Sequence, residues 1–239
     1  MEVYAAMIDN VDQNIGRILS TIKKSGEENN TLVLFLSDNG SCAESPGGEN
    51  NIAHVPGPKE YYSHVGPSWA YAQNAPFRRY KSRMHEGGIA TPLIAYWPGI
   101  IPKKLPHKSR KNSLTNQVGH IIDFLPTFLE IGNGSYPSKY QGHSILPTEG
   151  MSLLSVLKSP SKTITRKEPL YWFFSGSRAI REGDWKLVWD KNVKKWELYN
   201  LAEDRTEMHD LAEKKPVLVK RLRTQWEKWA YKTDVNYNN

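Results

Sequence analysis

A short run of apolar, strand-forming residues near the start of the chain is the feature that most constrains its fold. It extends from Thr31 to Ser37 and is followed directly by polar residues. Because polar and apolar residues do not alternate in it, we expect a strand covered on both faces, as in a parallel α/β sheet. Apolar residues recur at helical spacing from Val3 to Ile22, which predicts an amphipathic helix before the strand. This order is typical of α/β domains, whose sites lie at the carboxyl ends of strands.

Three further segments complete the prediction of an α/β domain over residues 1–150. Residues 41–80 are rich in Gly, Pro, Ser, Asn and aromatic residues and show little periodicity, so a long functional loop is expected. The apolar run 89–97 predicts a second strand, with an irregular start or an edge position because it contains Pro92. Residues 118–131 have helical periodicity, interrupted by one proline that should kink the helix or start a new one.

Residues 151–239 show a different pattern, which predicts a smaller second domain. Short aromatic-rich segments alternate with turn signals there, as in an antiparallel meander. These segments are 169–174, 178–181, 185–189 and 196–201. A final helix near residues 217–229 has one apolar face, which should pack on the sheet. That face carries Leu218, Leu222, Trp226 and Trp229.

Composition indicates a folded protein and leaves its compartment open. Hydrophobic residues make up 38% of the chain and charged residues 24%, which is typical of globular domains. No apolar run is long enough to span a bilayer. The single cysteine, Cys42, excludes an intrachain disulfide. Met1 leads directly into the helical pattern, so we expect no signal peptide in this sequence.

The net charge of +7 lies almost entirely in the last third of the chain. Solvated lysines and arginines on surface helices would explain this excess. Attraction of an anionic substrate or polymer is the alternative explanation. Nucleic acid is disfavoured as a partner, because no nucleic-acid-binding motif accompanies the charge.

Two adjacent oxygen donors, Asp38 and Asn39, follow the first strand. Calcium takes carboxylate and amide oxygens, so this pair could supply ligands to a Ca²⁺ ion. The sequence Asp-Asn-Gly is also common in turns, and by itself the pair does not distinguish these two roles.

A basic segment that includes Lys81 and His85 precedes the glycine pair of Glu86-Gly87-Gly88. Its cations could bind a doubly charged oxyanion, although a solvated basic loop is the alternative. The glycines would permit close backbone approach. If the segment were helical, His85 would share a face with Lys81 and could contact substrate or transfer a proton. We assign Arg83 to solvent.

The long loop contributes further candidate substrate contacts. An aromatic ring and an amide suit a sugar, so Trp69 and Asn74 are candidates for the mouth of a pocket, with a structural role as the alternative. His54 and His64 are weaker candidates of the same kind.

Several ordered motifs together resemble the sulfatase family. Beside the segments that carry Asp38 and Lys81, they comprise residues 91–95, 121–127, 146–157, 181–187 and 197–201. These segments look like those of the bacterial arylsulfatase-type branch and span nearly the whole chain. The resemblance implies an alkaline-phosphatase-like α/β fold, followed here by the C-terminal antiparallel sheet and its packed helix.

The resemblance also implies a mechanism and site residues. In that family a cysteine or serine becomes formylglycine, whose hydrate attacks the sulfate ester. A calcium ion is held by two N-terminal aspartates and by the pair that matches Asp38 and Asn39, while the lysine that matches Lys81 contacts the sulfate. The cation and the lysine neutralise charge on the transferring group.

The chain departs from the family pattern in ways that bear on activity. The modified residue lies in a Cys/Ser-x-Pro-x-Arg motif, which the sequence around Cys42 does not match. The N-terminal aspartates have no counterpart, so we expect the N-terminal half of the sulfatase domain as a partner and no hydrolysis by this chain alone. Phe173 and Phe174 follow Trp172 where relatives often have His and Glu, which puts the substrate pocket in doubt.

Three functional hypotheses follow from the resemblance. The first is a sulfuric ester hydrolase acting on a sulfated sugar or aryl ester, with a periplasmic or extracellular location for the full-length protein. The second is a non-catalytic fragment that at most binds anions. The third is a phosphoester hydrolase of the same superfamily.

Overall fold

The computed structural model describes residues 1–44, 58–59, 64–101 and 114–237. Its helices are α1 (Glu2–Lys24), α2 (Gly66–Asn74), α3 (Glu86–Ile89), α4 (Phe124–Ile131), α5 (Leu154–Lys158) and α6 (Pro216–Lys232). Its strands are β1 (Val33–Leu36), β2 (Leu93–Tyr96), β3 (Lys139–Tyr140), β4 (His143–Ser144), β5 (Leu170–Phe174), β6 (Ser177–Glu182), β7 (Trp185–Asp190) and β8 (Lys195–Asn200). Within the described ranges, short 3₁₀ helices span Glu28–Asn30 and Ile121–Asp123. Among the helices of these residues, none is both long and apolar enough to cross a bilayer.

The chain forms two compact units. The first comprises Met1–Asn14, Leu36–Leu93 and Glu168–Asn239, and the second comprises Ile15–Phe35 and Ile94–Lys167. Neither unit is continuous in sequence, and their division crosses the expected boundary at residue 150. The domains 1–150 and 151–239 stay a sequence-based prediction.

The first unit contains the predicted meander. Strands β5, β6, β7 and β8 are hydrogen-bonded in that order, and every neighbouring pair is antiparallel. The tight connection between β6 and β7 contains Gly183, whose φ of 58° lies in the left-handed region that glycine adopts without strain. Glu182 is paired with Trp185 on either side of this turn, which sets the register of the two strands.

Helix α6 packs on the meander, as its apolar face predicts. Leu222, Trp226 and Ala230 are fully buried against the side chains of Ile180, Leu187 and Leu198 from the sheet. Leu218 and Trp229 are partly buried against the same cluster. Each fully buried large side chain contributes roughly 1.5 to 3 kcal/mol to the hydrophobic driving force. This layer is the main apolar core of the first unit.

Strands β1 and β2 confirm the two predicted apolar strands, but not the predicted coverage. They form a two-stranded sheet. Phe35 on β1 is 49% exposed, so in the described part of this chain the expectation that the first strand is covered on both faces is wrong, and Ile94 on β2 is 59% exposed. The physical reason is that two strands of four residues form no interior strand and bury little apolar surface between them.

The predicted helix over residues 118–131 is shorter than expected. The 3₁₀ helix Ile121–Asp123 leads directly into α4, and Pro126 lies in the first turn of α4. A proline there loses no intrahelical hydrogen bond, since the first N–H groups of a helix have no partner in it. Pro126 therefore marks a fresh start of the helix and not a kink.

Candidate metal and anion site

The candidate metal ligands lie in a tight turn just after β1. The side-chain amide of Asn39 donates to Oδ2 of Asp38 at 2.6 Å, and the hydroxyl of Ser37 donates to the carbonyl oxygen of Asn39 at 2.8 Å. The Asp38 side chain is exposed. The pair thus forms a local turn and also presents carboxylate and amide oxygens at the carboxyl end of a strand.

Gly40 brings this turn against the glycine pair of the basic segment. A β-carbon at Gly40 would lie 1.8 Å from the carbonyl oxygen of Gly87, so no side chain fits there. The Gly40 N–H donates to the carbonyl oxygen of Gly88 at 3.1 Å. The backbones therefore approach as closely as the glycines were expected to allow.

The same glycine pair packs tightly on the turn that carries Lys81. A β-carbon at Gly87 would lie 2.2 Å from the carbonyl oxygen of Arg79, and one at Gly88 would lie 2.0 Å from that of Arg83. Helix α3, which begins at Glu86, is consequently held against residues 78–83.

Asn74 joins the turn of the candidate metal ligands, residues 37–41, to the turn that carries Lys81, residues 78–83. Its Oδ1 atom accepts the N–H of Ser41 at 2.9 Å, and its Nδ2 atom donates to the carbonyl oxygen of Arg79 at 3.1 Å. The Lys81 N–H also donates to the carbonyl oxygen of Ser41 at 3.1 Å. Both ends of the Asn74 amide are engaged in the protein, so the geometry favours the structural alternative over a substrate contact for this residue.

The Lys81 side chain is partly exposed and faces Glu44, an acidic residue of the loop 38–44 that begins with the candidate metal ligands. Its ammonium lies 3.4 Å from Oε2 of Glu44, and the hydroxyl of Ser82 donates to Oε1 of the same carboxylate at 2.9 Å. Nearby Cys42 and Glu44 raise the pKa of Lys81, to which Asp38 also contributes. Lys81 is therefore a full cation at neutral pH.

His85 does not lie beside Lys81, because residues 81–85 are not helical. It occupies the N-cap position of α3 and is 1% exposed. Its Nε2 atom lies 2.6 Å from Oε2 of Glu197 on β8. The condition for a shared face with Lys81 is therefore not met. The burial of His85 argues for a structural role, and its part in substrate contact or proton transfer stays a prediction.

The assignment of Arg83 to solvent is also wrong. Its Nη1 atom lies 2.9 Å from Oδ1 of Asp190 at the end of β7, and its side chain is 23% exposed. The partner lies 107 residues further along the chain, so no local pattern could have indicated the pairing.

A buried charge cluster supports both ends of the Lys81 turn, and sequence reasoning missed it. Lys186, which is fully buried on β7, lies 2.8 Å from Glu86 and 2.8 Å from Glu207. Glu207 also accepts the Glu86 N–H at 2.6 Å, and its carbonyl oxygen accepts a hydrogen bond from Arg78 at 3.1 Å. A lysine inside the apolar β7 segment is the one signal in the sequence that could have indicated a buried ion pair.

The remaining candidates from the long loop are Trp69, His64 and His54. Trp69 lies on α2 and is 51% exposed, so a sugar ring could stack on it, and that role stays a prediction. His64 is half-buried, and His54 lies outside the described residues.

The oxygen donors of this site suit calcium in kind but not in number. Calcium takes about six to eight oxygen ligands, and Asp38 and Asn39 supply at most a few. In the described ranges no group of three or more His, Cys, Asp or Glu side chains is arranged to hold a metal ion. A candidate pair of hard-cation ligands on a turn that is joined to a lysine-bearing turn is nevertheless compatible with metal-assisted chemistry on an anionic ester.

Comparison with known proteins identifies the family of this chain. Residues 1–135 match the model of the Sulfatase family, and residues 77–232 match the model described as N-sulphoglucosamine sulphohydrolase, C-terminal. The chain therefore belongs to the sulfatase family.

Individual relatives are similar over most of this chain. An uncharacterized sulfatase of Schizosaccharomyces pombe is 31% identical, over 98% of this chain and 44% of the relative. An arylsulfatase of Klebsiella aerogenes is 34% identical, over 71% of this chain and 37% of the relative. An N-acetylglucosamine-6-O-sulfatase of Bacteroides thetaiotaomicron is 28% identical, over 88% of this chain and 32% of the relative. The chain thus spans less than half the length of each of these proteins.

Solved structures show the same fold. The crystal structure of Ps i-CgsB is matched with a TM-score of 0.68 and 24% identity, over 98% of this chain and 43% of that one. The phosphonate monoester hydrolase of Agrobacterium radiobacter is matched with a TM-score of 0.54 and 17% identity, over 98% of this chain and 41% of that one. The expected alkaline-phosphatase-like fold, with its C-terminal antiparallel sheet and helix, is confirmed over the part that this chain spans.

Proposed function

We propose that this chain provides one part of the active site of a sulfuric ester hydrolase. The observation that carries the proposal is the junction between the two candidate loops. Lys81 is joined to the Asp38–Asn39 turn by its own N–H bond to Ser41 and by the amide of Asn74. The segments that carry the Lys81 ammonium and the oxygen donors of Asp38 and Asn39 are thereby joined, which supports a shared role for them.

Each residue would have a distinct role in the reaction. Lys81 would bind an oxygen of the sulfate group and stabilise the negative charge that shifts during transfer. Asp38 and Asn39 would hold a calcium ion together with ligands from outside this chain. When bound, that ion would act as a Lewis acid that neutralises charge on the sulfate.

The nucleophile would come from the N-terminal half of a sulfatase domain. The family's Cys/Ser-x-Pro-x-Arg motif does not occur in this sequence. The reaction is therefore proposed for the complete protein or complex, for which we also propose a periplasmic or extracellular location.

The substrate class proposed is a sulfated sugar, with an aryl sulfate as a simpler surrogate. One relative is named an N-acetylglucosamine-6-O-sulfatase, and the exposed Trp69 on α2, the helix that also carries Asn74, provides a surface on which a sugar could stack.

The decisive experiment compares the chain alone with the chain joined to the N-terminal half of a sulfatase domain. The joined protein should release sulfate from an aryl sulfate or a sulfated hexosamine, and the chain alone should not. Lys81→Ala in the joined protein should lower turnover by about a hundredfold or more, the effect of losing one oxyanion stabiliser. Lys220→Ala, an exposed change of equal charge on α6, should leave turnover unchanged.

Two other outcomes would favour the alternatives. Hydrolysis of phosphate or phosphonate esters without release of sulfate would indicate the phosphoester chemistry of the same fold, which the phosphonate monoester hydrolase shares. Sulfate binding without hydrolysis of any ester in the joined protein would indicate a non-catalytic fragment.

A further inference from the structure

The carboxylate of Glu44 lies among donors that would equally suit an oxyanion. It accepts from the hydroxyl of Ser82 at 2.9 Å, lies 3.4 Å from the ammonium of Lys81, and accepts from the thiol of Cys42 at 3.6 Å. An ammonium and a hydroxyl that converge on one anionic group are the donors expected of an anion site.

The backbone of the Lys81 turn holds the two main donors together. Ser82 has a φ of 72°, in the left-handed region that residues with a side chain rarely adopt. Such strain persists where the surrounding structure imposes it. Here the tight packing of Gly88 on Arg83 and the bond from the Lys81 N–H to Ser41 fix the turn on both sides.

Glu44 is linked to the candidate metal ligands through its own loop. Residues 38–44 begin with Asp38 and Asn39 and end with Glu44, and they contact the Lys81 turn at Ser41. An anion bound at the position of the Glu44 carboxylate would consequently lie next to Lys81, on the side where the lysine faces the loop 38–44.

We propose that Ser82 is a second anion-binding residue of this site, acting with Lys81, and that the Glu44 carboxylate occupies the place of the oxyanion in this chain. The inference rests on the proposed function and adds to it a hydroxyl donor and an internal competitor. The Glu44 side chain is about half exposed. An ion pair with a partner so exposed contributes little stability, so an external oxyanion can displace the Glu44 carboxylate.

The electrostatics agree with this arrangement. The hydrogen bond from Ser82 and the charge of Lys81 lower the pKa of Glu44, so that the carboxylate is fully ionised at neutral pH. The competitor is thus present under the conditions in which sulfate would bind.

Titration of the 239-residue chain with inorganic sulfate tests the proposal, with chloride used to keep ionic strength constant. Binding is followed by the NMR shifts of the backbone amides of residues 81 and 82. Glu44→Gln should tighten sulfate binding by about two- to fivefold, since only a weak exposed pair is removed. Glu203→Gln changes the net charge equally at an exposed position away from the site and should have no effect.

Ser82→Ala tests the hydroxyl itself, because alanine keeps the β-carbon and hence the same backbone strain. In the Glu44→Gln background it should weaken sulfate binding by about tenfold, the effect of one hydrogen bond to a charged group. Lys81→Met in that background should abolish binding.

The outcomes separate this inference from the proposed function. If neither the wild type nor Glu44→Gln binds sulfate, or if Glu44→Gln and Ser82→Ala behave like Glu203→Gln, the inference is wrong. In that case a loss of turnover in Lys81→Ala of the joined protein would still support the hydrolase. If sulfate binds through both Lys81 and Ser82 but the joined protein hydrolyses no sulfate ester, the proposed function fails and the inference stands.

Discussion

The Nε2 atom of His85 lies 2.6 Å from Oε2 of Glu197, and these residues are 112 positions apart in the chain. Arg78, at the other end of the Lys81 turn, lies 3.5 Å from Oε1 of the same carboxylate. One carboxylate on β8 thus contacts a histidine and an arginine on the two sides of the turn that carries Lys81. The C-terminal sheet therefore supports the candidate anion site.

Substitution of Glu197 should weaken this support. Glu197→Gln removes the charge that faces buried His85 and partly buried Arg78, and we expect a loss of about 1 to 3 kcal/mol in the free energy of unfolding. Urea unfolding followed by tryptophan fluorescence measures the change. Glu203→Gln, on an exposed turn after β8, is the control and should alter stability little. Equal stability of the two variants would show that the buried contacts contribute nothing.

Acid should destabilise the first unit through two buried carboxylates, those of Glu197 and Glu86. Burial alone would raise the pKa of Glu197, but the hydrogen bond and charge of His85 and the charge of Arg78 outweigh it and lower that pKa. For Glu86 the charge of Lys186 likewise outweighs burial, and its pKa is lowered. Because the folded-state pKa is the lower one, these contacts stabilise the fold fully above the unfolded-state pKa of about 4.3. That stability is lost as the pH falls through the folded-state pKa.

Urea midpoints measured between neutral pH and about pH 3 test this linkage, since the unfolded-state pKa of a glutamate is about 4.3. The midpoint should fall steeply on the acid side, and Glu197→Gln should show a smaller fall because one titrating group is absent. An identical pH dependence in wild type and variant would contradict the assignment of this effect to Glu197.

Local patterns predicted the C-terminal sheet and α6 because neighbours in sequence carry the signal there. The alternation of strands with turns and the helical spacing of Leu222 and Trp226 both act within a few residues. Partners more than a hundred residues apart were beyond this reasoning, which is why His85 was expected at a substrate and Arg83 in solvent. The resemblance to sulfatases supplied the expected roles of Asp38 and Lys81, which periodicity alone did not distinguish from a turn and a basic loop, and these roles stay predictions.

The glycine at position 40 should tolerate no side chain. Gly40→Ala places a β-carbon against the Gly87 carbonyl oxygen, a backbone atom that cannot move independently, so we expect a loss of about 1 to 3 kcal/mol from overpacking. Gly16→Ala is the matched control, because nothing lies within 4 Å of its β-carbon and alanine favours the helix α1 by about 0.5 to 1 kcal/mol. Thermal unfolding of the two variants should therefore shift in opposite directions. A Gly40→Ala variant as stable as wild type would mean that the two loops are not in contact.

Calcium should bind this chain weakly when no other ligands are present. Asp38 and Asn39 supply too few of the about six to eight oxygens that the ion takes. Calorimetry should detect no tight stoichiometric binding by the chain alone, and tight binding should appear in the joined protein and be lost in its Asp38→Ala variant. Tight binding by the chain alone that survives Asp38→Ala would place the ion elsewhere.

Amide hydrogen exchange should distinguish the two sheets of the isolated chain. In the meander, Leu187, Val188 and Leu198 are fully buried, whereas Phe35 on β1 and Ile94 on β2 are about half exposed. Backbone hydrogen bonds that lie under little apolar cover open at low free-energy cost, so the β1 amides should exchange much faster than those of β7.

Uncovered apolar strands also favour aggregation, so the fast-exchanging strands should be the ones that associate as protein concentration rises. Exchange measured on the chain joined to the N-terminal half should show slower exchange in β1 and little change in β7. Slower exchange in β1 than in β7 of the isolated chain would contradict the assignment of its stable core to the meander and α6.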